Sequence, residues 1–182
     1  MNGPGDAVLG LTYGEVRLVP SDPGWPSAFE RLAAQLQATL GDTVVAVEHV
    51  GSTAVPGLIA KPILDIALGV APGVDPVQVI GALQPLGYQF RGDKGDEGGM
   101  LLVKEDRPAH RVAHLHLVGY GDQQWRRWVA VRDRLRVDPA ARAAYAQLKR
   151  RLAAQYPGDR SAYTAGKEAF IAQLLAEETA PT

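Results

Sequence analysis

The sequence predicts an α+β fold in which a mixed β-sheet is flanked by helices and the C-terminal half is helical. Residues 63–70 form a nearly unbroken apolar run, as expected for a central strand buried on both faces. Shorter β-branched or alternating segments lie on both sides of this run, and helical periodicity begins at Gln123. We therefore expect one domain over residues 14–178, preceded by a Gly-rich, flexible tail over residues 1–13.

Local patterns predict the individual elements. Apolar residues spaced three and four apart after Pro23 predict a first helix that ends at Gly41. The predicted strands are residues 15–19, 43–50, 63–70, 88–91, 100–104 and 112–118. The later predicted helices are residues 77–86, 123–137, 139–156 and 162–178. The Asp138-Pro139 pair supports the start at residue 139, because Asp caps a helix and Pro suits its first turn.

Composition excludes several classes of function. The chain has no cysteine, so disulfides, thiolate zinc sites and cysteine nucleophiles are ruled out. The net charge is −1 without a basic block, which gives no strong nucleic-acid signal. No apolar run approaches the roughly 20 residues of a membrane span, and the first residues do not resemble a signal peptide. We therefore expect a cytoplasmic protein, with no membrane partner, that acts on a small molecule.

Gly51, Ser52 and Thr53 follow a predicted strand and form a candidate phosphate-binding turn. Glycine permits a tight turn with exposed backbone N–H groups, and the two hydroxyls can reach phosphate oxygens. The alternative is an ordinary turn with a helix cap, and the nearby Pro56-Gly57 pair favours that interpretation.

Asp65 lies inside the apolar run, where an ionised carboxylate is costly unless it is paired or binds a metal. Lys61 could neutralise it structurally. His114 and His116 are two residues apart on a predicted strand, so both project to one face as candidate metal ligands or a proton-transfer pair. The alternative is a pair of half-buried histidines that donate to backbone carbonyls. For His49, which precedes the turn, a structural role is open.

Arg132 and Lys167 interrupt the apolar stripes of two predicted helices. A cation on an inward face needs an anion, which could be Asp65, another acidic side chain or a bound phosphate. The alternative is a snorkelling side chain or an internal salt bridge. Two such cations in a chain that also has a phosphate-type turn favour an anionic ligand.

Gly51-Ser52 followed by Asp65 on the next strand resembles the signature of the DNA polymerase beta-type nucleotidyltransferase superfamily. Within it, the chain is similar to the GrpB-like family over about residues 19–171. The segments that carry the resemblance are PSDPGWPSAFE, VEHVGSTAVPGLIAKPILDI, AHLHLV, WVAVRDRLRVDP and YAQLKRRLA. The resemblance implies a mixed sheet flanked by helices, and nucleotide chemistry by descent. Family members also occur fused to dephospho-CoA kinase, which points to nucleotide or coenzyme metabolism.

The sequence departs from the superfamily pattern at one critical position. Active transferases carry two carboxylates one position apart on the first catalytic strand, and Ala67 stands at the second position here. The third carboxylate is expected on a later strand, whose counterpart here carries His114 and His116. Two-metal transfer needs carboxylates to hold both ions, whereas Asp65 with imidazoles could hold one. Imidazole ligands would favour manganese or zinc over magnesium.

We therefore predict metal-dependent transfer of a nucleotidyl group from a nucleoside triphosphate to a small-molecule acceptor. Asp65 and His116 are the predicted catalytic residues. The predicted phosphate-binding residues are Gly51, Ser52, Thr53, Lys61, Arg132 and Lys167. The predicted metal ligands are Asp65, His114, His116 and Glu48. One alternative is a non-catalytic module that binds a nucleotide or phosphorylated metabolite, and a second is a metal-dependent phosphoesterase.

Overall fold

The computed structural model describes residues 7–94 and 99–176, which build a six-stranded mixed sheet with helices on both faces. The strands are β1 (Leu11–Thr12), β2 (Val44–Val50), β3 (Leu64–Val70), β4 (Tyr88–Asp93), β5 (Met100–Arg107) and β6 (His110–Gly119). The helices are α1 (Trp25–Leu40), α2 (Pro76–Leu83), α3 (Gln123–Val137), α4 (Pro139–Gln155), α5 (Arg160–Ala165) and α6 (Glu168–Ala176). The predicted α+β class with a helical C-terminal half is confirmed.

The strand order is β2-β3-β6-β5-β4, and the only parallel neighbours on this path are β3 and β6. Strand β3 lies between β2 and β6, and its residues Leu64, Ile66 and Leu68 have no solvent exposure. Burial on both faces explains why this strand reads as an apolar run rather than as an alternating pattern.

The two faces of the sheet are covered by different parts of the chain. Helices α1 and α2 pack on the face that carries Leu64 and Ile66. Helix α3 packs on the opposite face, where Trp125 contacts Ala67, and a neighbouring apolar cluster joins α3 to α4 and α6. Because side chains alternate along a strand, Asp65 points towards the layer of C-terminal helices. No helix within the described ranges is long and apolar enough to cross a bilayer.

Two predicted elements differ from the structure. The predicted helix over residues 162–178 is two helices, α5 and α6, which are interrupted at Gly166 and Lys167. Helix α4 packs closely there, since a Cβ on Gly166 would lie 2.5 Å from a methyl group of Leu152. The predicted strand over residues 15–19 is reduced to a single bridge between Val19 and Ala60. Residues 95–98 of the predicted charged loop, and residues 177 and 178, lie outside the described residues.

Residues 7–13 do not form the predicted flexible tail; residues 1–6 lie outside the described residues. Leu11 is only 2% exposed and pairs with Arg111 of β6. The N–H of Val8 donates to the carboxylate of Asp22, and the indole of Trp25 donates to the carbonyl of Val8. A strand of two residues is too short to leave an alternating pattern, so this packing is not visible in the sequence.

Candidate functional site

A cavity of about 270 Å³ lies between the sheet and helices α3 to α6. Its floor carries Asp65 of β3 together with His114 and His116 of β6. These strands are parallel neighbours whose register places Asp65 beside His114, so alternation brings all three side chains to one face. The expected convergence of the aspartate and the two histidines is therefore present.

The carboxylate of Asp65 lies between the two imidazoles. Its Oδ1 is 3.1 Å from Nδ1 of His114 and 3.8 Å from Nε2 of His116. The guanidinium of Arg160 lies 3.5 Å from Nε2 of His114. Because arginine can only donate, this contact favours the tautomer in which Nδ1–H of His114 donates to Asp65.

The hydrogen bonds from the histidines decide the charge of Asp65. Burial alone would raise the pKa of this carboxyl, but the bonds from His114 and His116 outweigh it and hold the pKa well below its usual range. The side chain nevertheless remains 34% exposed. Asp65 is therefore an ionised carboxylate that a ligand in the cavity can reach.

The turn after β2 lies directly against Asp65. Gly51 has a φ of 69°, a conformation that favours glycine, and a Cβ at this position would lie 2.5 Å from Oδ2 of Asp65. Ser52 also lines the cavity. The hydroxyl of Thr53 lies 3.0 Å from Nε2 of the buried His49, so Thr53 secures the turn from within. The structure thus assigns His49 and the Thr53 hydroxyl to the support of the turn.

Among the described residues, six cationic side chains line the cavity: Arg127 and Arg132 belong to helix α3, and the other four are Lys61, Lys149, Arg160 and Lys167. In the part of the chain that the structure describes, none of the three lysines forms an ion pair. The ammonium groups of Lys61 and Lys167 lie 5.2 and 5.1 Å from the ring centre of Tyr163. Lys149 is only 2% exposed and donates to the carbonyl of Ile59. We call Lys61, Lys149, Lys167 and Arg160 the cationic wall.

The lysines of the cationic wall disfavour one another's charged form. Burial, followed by the nearby Lys167 and Arg160, lowers the pKa of Lys61 to about 8. Burial, followed by Lys167 and Lys61, lowers the pKa of Lys149 well below its usual range. Burial also lowers the pKa of Lys167, which the charges of Asp65 and Glu168 partly oppose. Such a cluster is expected where the balancing negative charge arrives with a ligand.

Helix α3 forms the wall opposite the cationic wall. The two arginines of α3 that line the cavity already pair with acidic side chains of the protein. Arg127 donates to Glu168 at 2.9 Å. The guanidinium of Arg132 binds the carboxylates of Glu48 and Asp133 and the carbonyl of His49. Arg132 and Lys167 both line the predicted cavity, but the charge of Arg132 is balanced by protein acids.

The predicted metal ligands do not all converge. Glu48 shares the face of Asp65, since it pairs in register with Ala67, but its carboxylate binds Arg132. Across residues 7–94 and 99–176, no group of three or more His, Asp or Glu side chains could hold a metal ion. Asp65 with one imidazole offers two ligands, so a bound cation would also need oxygen atoms from a ligand.

Sequence reasoning missed Lys149, Arg160 and Tyr145. Lys149 lies four residues after Tyr145 and three before Leu152, and all three are buried on one face of α4. The interrupted stripe that predicted Lys167 could therefore have found Lys149. Arg160 offers no comparable signal, because it is the first residue of the short helix α5.

The chain has a mixed sheet whose cationic cavity is covered by the C-terminal helices. A protein of this architecture has a solved crystal structure. The chain superposes on the crystal structure of the conserved protein GrpB from Enterococcus faecalis with a TM-score of 0.79 and 33% identity, over 88% of this chain and 96% of that chain. The family model described as GrpB protein matches residues 15–177. The chain therefore belongs to the GrpB family, which confirms the resemblance to the GrpB-like family seen in the sequence.

Two relatives of known sequence support the assignment. A UPF0157 protein of Pseudomonas aeruginosa is 41% identical over 169 residues, which cover 92% of this chain and 69% of that protein. The glutamate-rich protein GrpB of Alkalihalophilus pseudofirmus is 32% identical over 173 residues, which cover 93% of this chain and 99% of that protein. The similarity thus extends over nearly the whole chain.

Proposed function

We propose that this protein binds a small molecule with two or more linked phosphates in the cavity. The supporting observation is the charge balance of the cavity lining. Its carboxylates are Asp65, which lies against two histidines, and Glu168, which pairs with Arg127, whereas within the described residues the three lysines of the cationic wall form no ion pair. A di- or triphosphate would supply negative charge of comparable size. Ammonium and guanidinium groups form their strongest hydrogen bonds with such oxyanions.

A purely structural role for these cations is the competing explanation. Structural cations are expected to pair with protein acids or to extend into solvent. Arg132 fits that description, because Glu48 and Asp133 bind it. Lys149 does not, because it is almost completely buried and donates a hydrogen bond to the neutral carbonyl of Ile59. A ligand anion explains why such a costly arrangement is retained.

Calorimetric titration with inorganic triphosphate tests the proposal. Lys149→Met is expected to weaken binding at least tenfold, because a hydrogen bond to a charged group contributes about 1.5–3 kcal/mol. Lys104→Met is the matched control: Lys104 also donates to a carbonyl, that of Leu86, and lies 4.9 Å from a tyrosine ring centre, but it does not line the cavity. Absence of binding to the wild type, or equal losses in the two variants, would refute the proposal.

Nucleotidyl transfer to a small-molecule acceptor is the reaction that we propose for a nucleoside triphosphate in this cavity. It is supported by the contact of the Gly51 turn with Asp65, the combination on which the resemblance to nucleotidyltransferases rests. The buried Ala67, packed with Trp125, offers no second carboxylate. A divalent cation, manganese or zinc before magnesium, would be held by Asp65 and His114 or His116 together with phosphate oxygens. When bound, it would polarise the phosphorus.

The protein's own contribution to transfer would be positioning and charge stabilisation. The Gly51–Ser52 backbone would orient the phosphates, and the cationic wall would stabilise negative charge as pyrophosphate leaves. The test is pyrophosphate release from nucleoside triphosphates in the presence of manganese and small-molecule alcohol, amine or phosphate acceptors, which take up the nucleotidyl group; Asp65→Asn should abolish the release. Binding without turnover would instead support a binding module. Cleavage of phosphoesters with no nucleotide requirement would support a phosphoesterase.

A further inference from the structure

The two walls of the cavity suit different chemical groups. The cationic wall comes from the segment before β3, from α4 and α5, and from the α5–α6 junction. The opposite wall is built mainly from α3, where Trp128, Val131 and Leu135 line the cavity at helical spacing. The arginines on that wall, Arg127 and Arg132, are bound by acidic side chains. One wall is thus charged and uncompensated, and the other presents an aromatic and aliphatic surface.

Trp128 is the prominent side chain of the α3 wall. The preceding Trp125 is buried in the core against Ala67, whereas Trp128 is half-buried and lines the cavity. The ring of Trp128 lies 4.8 Å from that of His116, centre to centre, at an interplanar angle of 49°. The contact holds the indole beside the cavity floor. Trp128 also packs against the apolar cluster that contains Trp125 and Ala67, but it stays half-buried and lines the cavity, so part of its indole is open to a ligand.

We propose that the ligand is a nucleotide whose base stacks on Trp128 while its phosphates lie against the cationic wall. This inference rests on the proposed function and adds the side chain that would bind the base of the nucleotide. A bare polyphosphate or a sugar phosphate would leave the apolar wall in contact with water, whereas a base has a flat apolar face that suits an indole. The volume of about 270 Å³ lies just below the usual range of small-molecule sites, about 300–1,000 Å³, and suits one compact ligand.

The experiment compares nucleotides with the phosphate chain alone. Inorganic triphosphate, ATP, GTP, CTP and UTP are titrated calorimetrically into the wild type, with and without manganese. At least one nucleotide is expected to bind roughly 5- to 150-fold more tightly than triphosphate, the range that corresponds to about 1–3 kcal/mol for stacking a base on an aromatic side chain. Purine nucleotides should show the larger ratio if stacking dominates.

Two variants of Trp128 separate stacking from structural support. Trp128→Leu is expected to remove most of the nucleotide's advantage and to leave the affinity for triphosphate within about twofold, since the proposed phosphate position lies against the cationic wall. Trp128→Phe, which retains an aromatic face, should keep most of the advantage. Thermal melting of both variants checks that the fold is intact.

The possible outcomes distinguish this inference from the phosphate site itself. Equal affinity of the wild type for triphosphate and all four nucleotides would overturn the stacking inference and leave the phosphate site standing. Equal losses for triphosphate and nucleotide in Trp128→Leu would also overturn it, because they would show that the indole only supports the cavity. No binding of any of the five compounds would overturn both proposals.

Discussion

Replacement of Lys61 by methionine is expected to stabilise the free protein while weakening its binding of triphosphate. The pKa of Lys61 falls from its usual 10.5 to about 8, so the ammonium is charged at pH 7 at a cost to the folded state. That fall corresponds to about 3 kcal/mol, at about 1.36 kcal/mol for each pH unit. Solvent in the cavity and the lost contact with the Tyr163 ring reduce the gain, so we expect about 1–2 kcal/mol.

The gain in the free energy of unfolding from Lys61→Met should shrink as the pH rises above about 8. Below about pH 8, both the folded and the unfolded wild type carry the charge on Lys61, and the methionine variant shows its full advantage. Between about pH 8 and 10.5, the folded state releases its proton while the unfolded chain still holds it, so the stability of the wild type rises towards that of the variant. Urea denaturation at about pH 7, 9 and 10.5 measures the difference in the free energy of unfolding.

Lys104→Met again serves as the control. Burial lowers the pKa of Lys104 as well, but this lysine lies outside the cavity and donates to the carbonyl of Leu86. We expect the control to bind triphosphate with unchanged affinity, whereas Lys61→Met should lose about tenfold or more. A Lys61→Met protein that is less stable than the wild type at pH 7, or a gain that is the same at pH 7 and pH 10.5, would refute the reasoning.

The turn, the proton balance and the metal give three further tests. Gly51→Ala should lower the free energy of unfolding by about 1–3 kcal/mol, and by more than Gly57→Ala, whose φ is 78° but whose added Cβ would meet nothing within 4 Å. Equal losses in urea denaturation would contradict a close approach to Asp65. Triphosphate binding at about pH 8.5 should take up protons, because the pKa of Lys61 is about 8 in the free protein and Lys61 must be charged in the complex. Calorimetry in buffers of different ionisation enthalpy measures the uptake, and an absence of uptake would contradict the lowered pKa. Manganese should raise the melting temperature of the wild type by mass action but not that of Asp65→Asn, and an equal rise in both would place the ion elsewhere.

The fold could be predicted where a local pattern and the tertiary environment agree. The apolar run of β3 reflects burial on both faces, and the stripe of α1 reflects its single contact face. The break at Gly166 could not be predicted, because it depends on the close approach of Leu152 from another helix. The pairing of Leu11 depends likewise on the free side of a distant strand.

The floor of the site was predictable, but the distribution of charge on its walls was not. Alternation along β6 is enough to place His114 and His116 on one face, and the run of β3 isolates Asp65. Whether a cation is compensated depends on neighbours far along the chain. Arg132 binds the carboxylate of Glu48, whereas Lys149 donates to a carbonyl and lies 5.4 Å from the ring centre of Tyr145. The sequence shows both cations as interruptions of a stripe and cannot tell them apart.

Strand β1 covers the side of β6 that β3 leaves open, because β3 pairs only from Ala113 onwards. Removal of residues 7–13 would expose backbone donors and acceptors at His110 and Arg111, and free sheet edges of this kind pair readily with other chains. It would also remove the Tyr13 ring, which lies 4.2 Å from the guanidinium of Arg111. A shortened chain that starts at residue 15, where the family match begins, is therefore expected to self-associate. The part of the predicted flexible tail that pairs with β6 is thus expected to protect the protein from aggregation.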